Sequence, residues 1–198
     1  MKFLIALLGL MLAGCTAPLK PVSFDQPVAA TSDLAATVVL ISGAVRGSSG
    51  TALVPAGTVF VPLSTGPTPQ LQFNPADQRV FVESFRAELQ RLKLVREALP
   101  VSAGGSSELG IQLIFAQTFH NPDGHLYMLD VVMEIAGGKR SFLKQYRVVS
   151  NEGDNWLQRM NTNAQEGKAK AGKKLMQQLI PDVAAYIAEN RKPTGQSL

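Results

Sequence analysis

His120 and His125 bracket the tetrad Asn121-Pro122-Asp123-Gly124, and a hairpin turn there brings the two imidazoles together across Asp123. Imidazoles and a carboxylate are metal-ligand types, but a tetrahedral site draws on three or four side chains. No third ligand follows at a recognisable spacing, so both histidines read as polar turn residues. Asp130 and Glu134, four apart on one face of a strand with Leu126 and Met128, are the next candidates, as a general acid and base. The solvent-facing side of a half-buried sheet accounts for them better. Gly43, Gly47 and Gly50 have neither the following helix nor the lysine of a phosphate loop, and no Gly-x-Ser-x-Gly or dinucleotide fingerprint occurs. With no nucleophile–base pair to name, the chain reads as a non-enzyme without metal or cofactor.

Lys168, Lys170, Lys173 and Lys174 form the one notable charge cluster, with Arg159 upstream. On a helix, 170, 173 and 174 share a face opposite Leu175 and Leu179, which suits a solvated surface. The functional alternative is contact with anionic lipid headgroups or lipopolysaccharide, each lysine contributing about 1 kcal/mol close to such a surface; a third is an acidic protein partner. Trp156 at a helix start reads as a core anchor, the alternative being a partner site shared with Phe73 and the segment 63–71.

The 198 residues carry 19 basic and 15 acidic side chains, a net charge of +4. That is mild, and no basic–aromatic pattern points to nucleic acid. Cys15 is the single cysteine, so no intramolecular disulfide can form. Ahead of it, Met1-Lys2 supplies a positive charge and Phe3 to Leu12 an apolar run broken only by Gly9. Ala13-Gly14 then lead directly into Cys15. This is the order of a signal peptide, and a run of about 10 residues is too short to span a bilayer. Leu12-Ala13-Gly14-Cys15 resembles the lipobox of bacterial lipoproteins. The resemblance implies cleavage before Cys15, diacylglycerol on its sulfur and, with Thr16 rather than Asp next, sorting to the outer membrane of a Gram-negative cell. Several acyl chains give anchoring that one cannot.

The elements that would position these residues follow from pattern. Removing the signal peptide 1–14 leaves 184 of the 198 residues, enough for one domain with a true core. Residues 15–35, with Pro18, Pro21 and Pro27, read as the lipidated cysteine and a flexible tether reaching roughly 25 Å. Strands are expected at 36–42 and 58–63, with a flexible Gly/Ser loop from 43 to 50. Asn74-Pro75 starts a helix over about 75–93 whose stripe is Phe81, Phe85, Leu89 and Leu92. Leu94-Val95 opens a short extended piece. Alternation then predicts an antiparallel meander from segments starting at Leu109, Leu126 and Phe142. A helix over about 154–192 carries Met160, Ala164, Gly167, Ala171, Leu175, Leu179, Val183 and Ile187 inward, with Pro181 kinking or breaking it. The fold class is α+β: a two-layer, mainly antiparallel sheet packed by two amphipathic helices, one domain over 36–192, and a disordered tail at 193–198.

This order resembles small Gram-negative envelope lipoproteins of the YajG type and, more loosely, LptE-like assembly lipoproteins. The nearest stretches run from Phe81 to Leu92 and from Tyr146 through Gly153 to Ala188-Glu189-Asn190. The Gly/Ser-rich stretch 43–57 departs from that layout, and no functional residue carries across. The expected function is that of a lipid-anchored accessory or partner-binding module on the periplasmic face of the outer membrane. The alternative is a lipid or glycan carrier with its ligand between sheet and helices.

Overall fold

A computed structural model describes residues 18–47, 50–56, 59–65, 72–100, 107–121 and 125–190. Cys15, residues 66–71 of the expected partner segment, residues 122–124 of the expected turn and the tail expected at 193–198 lie outside them. The order is β1 (Ala35–Gly47), β2 (Gly50–Ala56), β3 (Val59–Thr65), α1 (Pro75–Arg91), β4 (Glu97–Pro100), β5 (Leu109–Asn121), β6 (Leu126–Ala136), β7 (Phe142–Val149), α2 (Trp156–Asn161) and α3 (Ala164–Asn190). Five strands form one sheet in the order β4-β1-β5-β6-β7, and β2 and β3 pair as a separate hairpin.

The fold is α+β, with α1 and α3 packed on one face of the sheet. Alternation places Leu109, Ile111, Leu113 and Phe115 of β5 and Tyr127, Leu129, Val131, Met133 and Ile135 of β6 on the helix-facing side. The meander is as expected, β5–β6 and β6–β7 being antiparallel. The sheet as a whole is mixed, because β1 pairs parallel with both β4 and β5. The right-handed crossover preference for parallel neighbours needs a helix or long connection between them, and the chain from 48 to 108, which includes α1, supplies it.

Four expectations are corrected. Strand β1 continues through the glycines to Gly47 instead of yielding to a loop at 43. Its partner β5 carries a bulge between Phe115 and Gln117 in its pairing with β6. A Cβ at Gly43 would collide with the carbonyl oxygens of Phe115 and Ala116, so the glycine permits the close approach. The C-terminal helix breaks at Thr162-Asn163 and not at Pro181, which sits inside α3. Pro181 and Gln177, whose carbonyl loses its helical partner to the proline, are both exposed, so water can satisfy that carbonyl. Met160, expected inward, is 66% exposed, because the break turns α2 away from the stripe that α3 maintains.

The fourth correction concerns the tether. Leu19, Val22 and Phe24 are buried in the core, so the domain begins near residue 18 and not at 36. Proline excludes helix but favours extended backbone, and here an extended strap lies along α1.

Candidate anchoring and binding surfaces

Helix α1 presents the strap with a row of polar groups. Asp77, Ser84 and Arg91 are seven residues apart, two helical turns, and therefore lie in one line. Leu19 N–H donates to Asp77 Oδ1 at 2.8 Å, and Val22 N–H to Ser84 Oγ at 3.1 Å. Arg91 Nη2 donates to the Phe24 carbonyl at 2.6 Å. An extended segment has no internal hydrogen bonds, so buried amides must find such partners. Further along, Ser32 N–H reaches the Lys93 carbonyl and Ala35 N–H the Glu108 carboxylate.

Asp77 is the hub. Asn74 caps α1 by accepting from Ala76 and Asp77 amides, and Asp77 Oδ2 accepts from Asn74 N–H in return. The same carboxylate takes Lys168 Nζ at 2.8 Å, with the lysine side chain fully buried and Asp77 3% exposed. Lys168 is therefore no part of a solvent-facing cationic patch. The other lysines are also engaged. Lys173 pairs with Asp25 of the strap at 2.7 Å, and Lys170 with Asp154 at 2.9 Å and Glu166 at 3.3 Å. Lys174 donates to the Val149 and Glu152 carbonyls. Hydrogen bonding to Lys173 lowers the Asp25 pKa, and hydrogen bonding to Lys170 lowers that of Asp154. The cluster fastens the strap and the 149–154 turn to α3, and only the side chains at 170, 173 and 174 retain solvent contact.

The histidines do meet. His120 Nε2 and His125 Nδ1 are 3.3 Å apart, and His120 also stacks on Tyr127 at 4.6 Å between centroids. Burial pushes both pKa values down, that of His120 to about 4, with His125 and Lys168 adding charge repulsion. Tyr127 is pushed up, chiefly by burial. Among the described residues no group of three His, Cys, Asp or Glu is placed to hold a metal ion.

The opposite face of the sheet carries the other candidates. Asp130 and Glu134 share it, but Asp130 is buried and not solvent-facing as expected, because Arg147 across the strand pair grips it at 2.7 and 3.2 Å and covers it. Ile41, Ile114 and Val132 sit side by side in register across β1, β5 and β6, with Ile41 42% exposed. Leu143 of β7 is 71% exposed, and β7 is an edge strand. Edges and exposed apolar rows are where a second chain can add itself. Trp156 is the misjudged aromatic: it is 70% exposed, with Leu157 beside it at 62%. The sheet–helix interior holds Leu175, Met176, Leu179, Ile180 and Val183 at full burial. An open groove of about 790 Å³ lies at the sheet's far end, lined by residues including Asp33, Glu108, Lys139, Tyr186 and Asn190. Its lining mixes these polar and charged groups with Leu34, Leu109 and Ile187.

No family model matches this chain, and no curated protein does. Among solved structures, the chain is similar to the crystal structure of protein XCC0632 from Xanthomonas campestris, assigned to DUF330. The TM-score is 0.49 at 10% identity, covering 86% of this chain and 98% of that one. A second crystal structure, of an uncharacterized protein, matches with a TM-score of 0.34 at 8% identity, over 78% of this chain and 96% of that one.

Proposed function

We propose that this chain is a lipid-anchored envelope lipoprotein of the outer membrane's periplasmic face, and that its α+β domain works by binding a protein partner, without catalysis. The anchor rests on the Leu12-Ala13-Gly14-Cys15 pattern. The partner-binding role rests on one observation, the apolar row Ile41–Ile114–Val132 leading toward the edge strand β7 with its exposed Leu143. The close-packed interior between sheet and α3 favours this reading over a carrier with its ligand held there.

A photo-crosslinking residue at Leu143 or Ile41 of the acylated protein in its native membrane is expected to yield one discrete protein adduct. The same residue at Gln178, on the exposed side of α3, is expected to yield none. Equal labelling from all three positions, or none from the sheet, refutes the partner surface. Metabolic labelling with an alkyne fatty acid tests the anchor separately: label on the parent chain and none on Cys15→Ala is expected, and an unlabelled parent chain refutes lipidation as the tether.

A further inference from the structure

Helix α2 has an unusual burial pattern for a well-defined element: none of its residues is buried. Six residues are too few for a helix to sustain itself by propagation, yet this one is fastened at both ends. Asn155 Oδ1 accepts Gln158 N–H at 2.9 Å while Gln158 Oε1 accepts Asn155 N–H at 2.8 Å. Thr162 Oγ1 donates to the Gln158 carbonyl, and Arg159 Nε to the Asp154 carbonyl. Lys170 ties Asp154 to α3. The fastening holds outward an apolar arc: at 100° per residue, Trp156, Leu157 and Met160 fall within about 100° of one another. They are 70%, 62% and 66% exposed. Among the described residues, Ile41 and Leu143 are the other exposed large apolar side chains, and an exposed apolar arc of this kind marks an interaction surface.

The chain's own geometry says which surface. Helices α1 and α3 run in the same direction, since Asp77 meets Lys168 and a Cβ on Gly172 would touch Phe81 one turn further along each helix. The strap runs with them, Leu19 at Asp77, Val22 at Ser84 and Phe24 at Arg91. Traced backward, the chain therefore leaves the domain at the N-terminal ends of both helices. Helix α2 joins α3 at that same end through Thr162-Asn163. Three residues lie between Cys15 and Leu19, and the four steps span at most about 14 Å even fully extended. A lipid on Cys15 would hold this end of the domain, the end at which α2 joins α3, against the bilayer.

We infer that α2 is a membrane-docking element, with Trp156, Leu157 and Met160 seated in the headgroup–acyl boundary of the membrane that holds the lipid anchor. The inference rests on the proposed lipidation of Cys15 and adds a second, non-covalent contact. Tryptophan suits that boundary through its apolar ring and polar N–H. Arg159, on the flank of the arc, suits anionic headgroups. Two contacts close together would fix the domain's orientation and turn the groove near Tyr186 and Asn190, at the far end, away from the membrane.

Trp156 is the only tryptophan, so its emission reports this helix alone. The acylated chain is reconstituted into phosphatidylethanolamine–phosphatidylglycerol vesicles, with and without brominated acyl chains. Docking gives co-flotation, a blue-shifted emission and quenching by bromine. The double variant Leu157→Gln/Met160→Gln, exposed positions whose change leaves the core intact, should still float but lose the shift and the quenching. In the unlipidated Cys15→Ala chain, the same double change should lower vesicle partitioning about tenfold, or roughly 1.4 kcal/mol. Co-flotation with unquenched, red emission overturns the docking while leaving the anchor standing. Blue emission before vesicles are added, from a chain that sediments as a dimer, overturns it in favour of a second copy covering α2. Failure of the acylated chain to float overturns the anchor and this inference together.

Discussion

Replacing Lys168 by methionine should destabilise the domain by about 3–5 kcal/mol, because it strands the Asp77 carboxylate in the interior without its cation. Neither partner has solvent to fall back on, the lysine side chain being fully buried and the aspartate 3% exposed. Water therefore cannot screen the loss as it does at a surface pair. Asp77 would keep its amide donors, Leu19 and Asn74, which places the expectation toward the lower end of that range. With a urea slope of about 2 kcal/mol/M, the unfolding midpoint should fall by roughly 1.5–2 M. Far-UV circular dichroism is the suitable probe, since the single tryptophan lies on exposed α2 and not in the core. Asp77→Asn should also destabilise, leaving Lys168 without its carboxylate and loosening the strap. The double variant Asp77→Asn/Lys168→Met removes both charges and should recover about 2 kcal/mol relative to the sum of the singles. Additive effects, or a Lys168→Met midpoint within about 0.5 M of the parent, would refute the view that a buried, mutually dependent pair holds the strap, α1 and α3 together. Hydrogen exchange supplies an independent check. The Leu19 and Val22 amides should lose protection in Asp77→Asn before the α3 amides do.

The histidine pair makes the fold acid-sensitive. The folded-state pKa of His120 lies below its unfolded value, so the native state binds fewer protons, and stability present above about pH 6.5 is lost as pH falls toward 4. The loss should be on the order of 2 kcal/mol, water access reducing the full effect. His120→Phe should flatten the urea midpoint between pH 7 and 4.5, and an unchanged slope would count against burial of the neutral ring. Gln78 is fully buried with neither amide atom hydrogen-bonded; Gln78→Leu should raise stability by about 1–3 kcal/mol, and a lower midpoint would show that the amide has a partner. A Cβ at Gly167 would strike the His125 carbonyl and the Tyr127 ring, so Gly167→Val should destabilise by at least about 2 kcal/mol, measured the same way. Ser84→Val should selectively deprotect the Val22 amide in hydrogen exchange, with the rest of α1 unaltered, whereas uniform protection would dissociate Ser84 from strap docking.

The inward stripe of the long helix illustrates what a one-dimensional reading can and cannot extract. Ala164, Ala171, Leu175, Leu179, Val183 and Ile187 were legible as one face from spacing alone, and all are buried. Lys168 stands four residues after Ala164 and three before Ala171, so the same spacing places it on that face. Its charge argued for solvent and masked the geometry. What overrode the charge was Asp77, 91 residues away. Likewise Asn74-Pro75 announced the start of α1, but nothing local said that Asp77, Ser84 and Arg91 would receive another segment's backbone. The prolines of the strap excluded a helix without distinguishing a free coil from a docked extended chain, a choice settled by contacts with α1. Trp156 erred in the opposite sense, since aromatic character implied burial and the break at Thr162 turned it outward.

Hydropathy period, turn residues and the N-terminal lipobox pattern are local properties. They were enough for the α+β class, the β5–β6–β7 meander, the amphipathic helices and the expectation of an anchor at Cys15. The parallel pairing of β1, the burial of Lys168, the docking of residues 19–24 and the outward arc of α2 depend on which distant groups become neighbours. That information is created when the chain closes on itself, because desolvation and pairing are settled between elements and not within them.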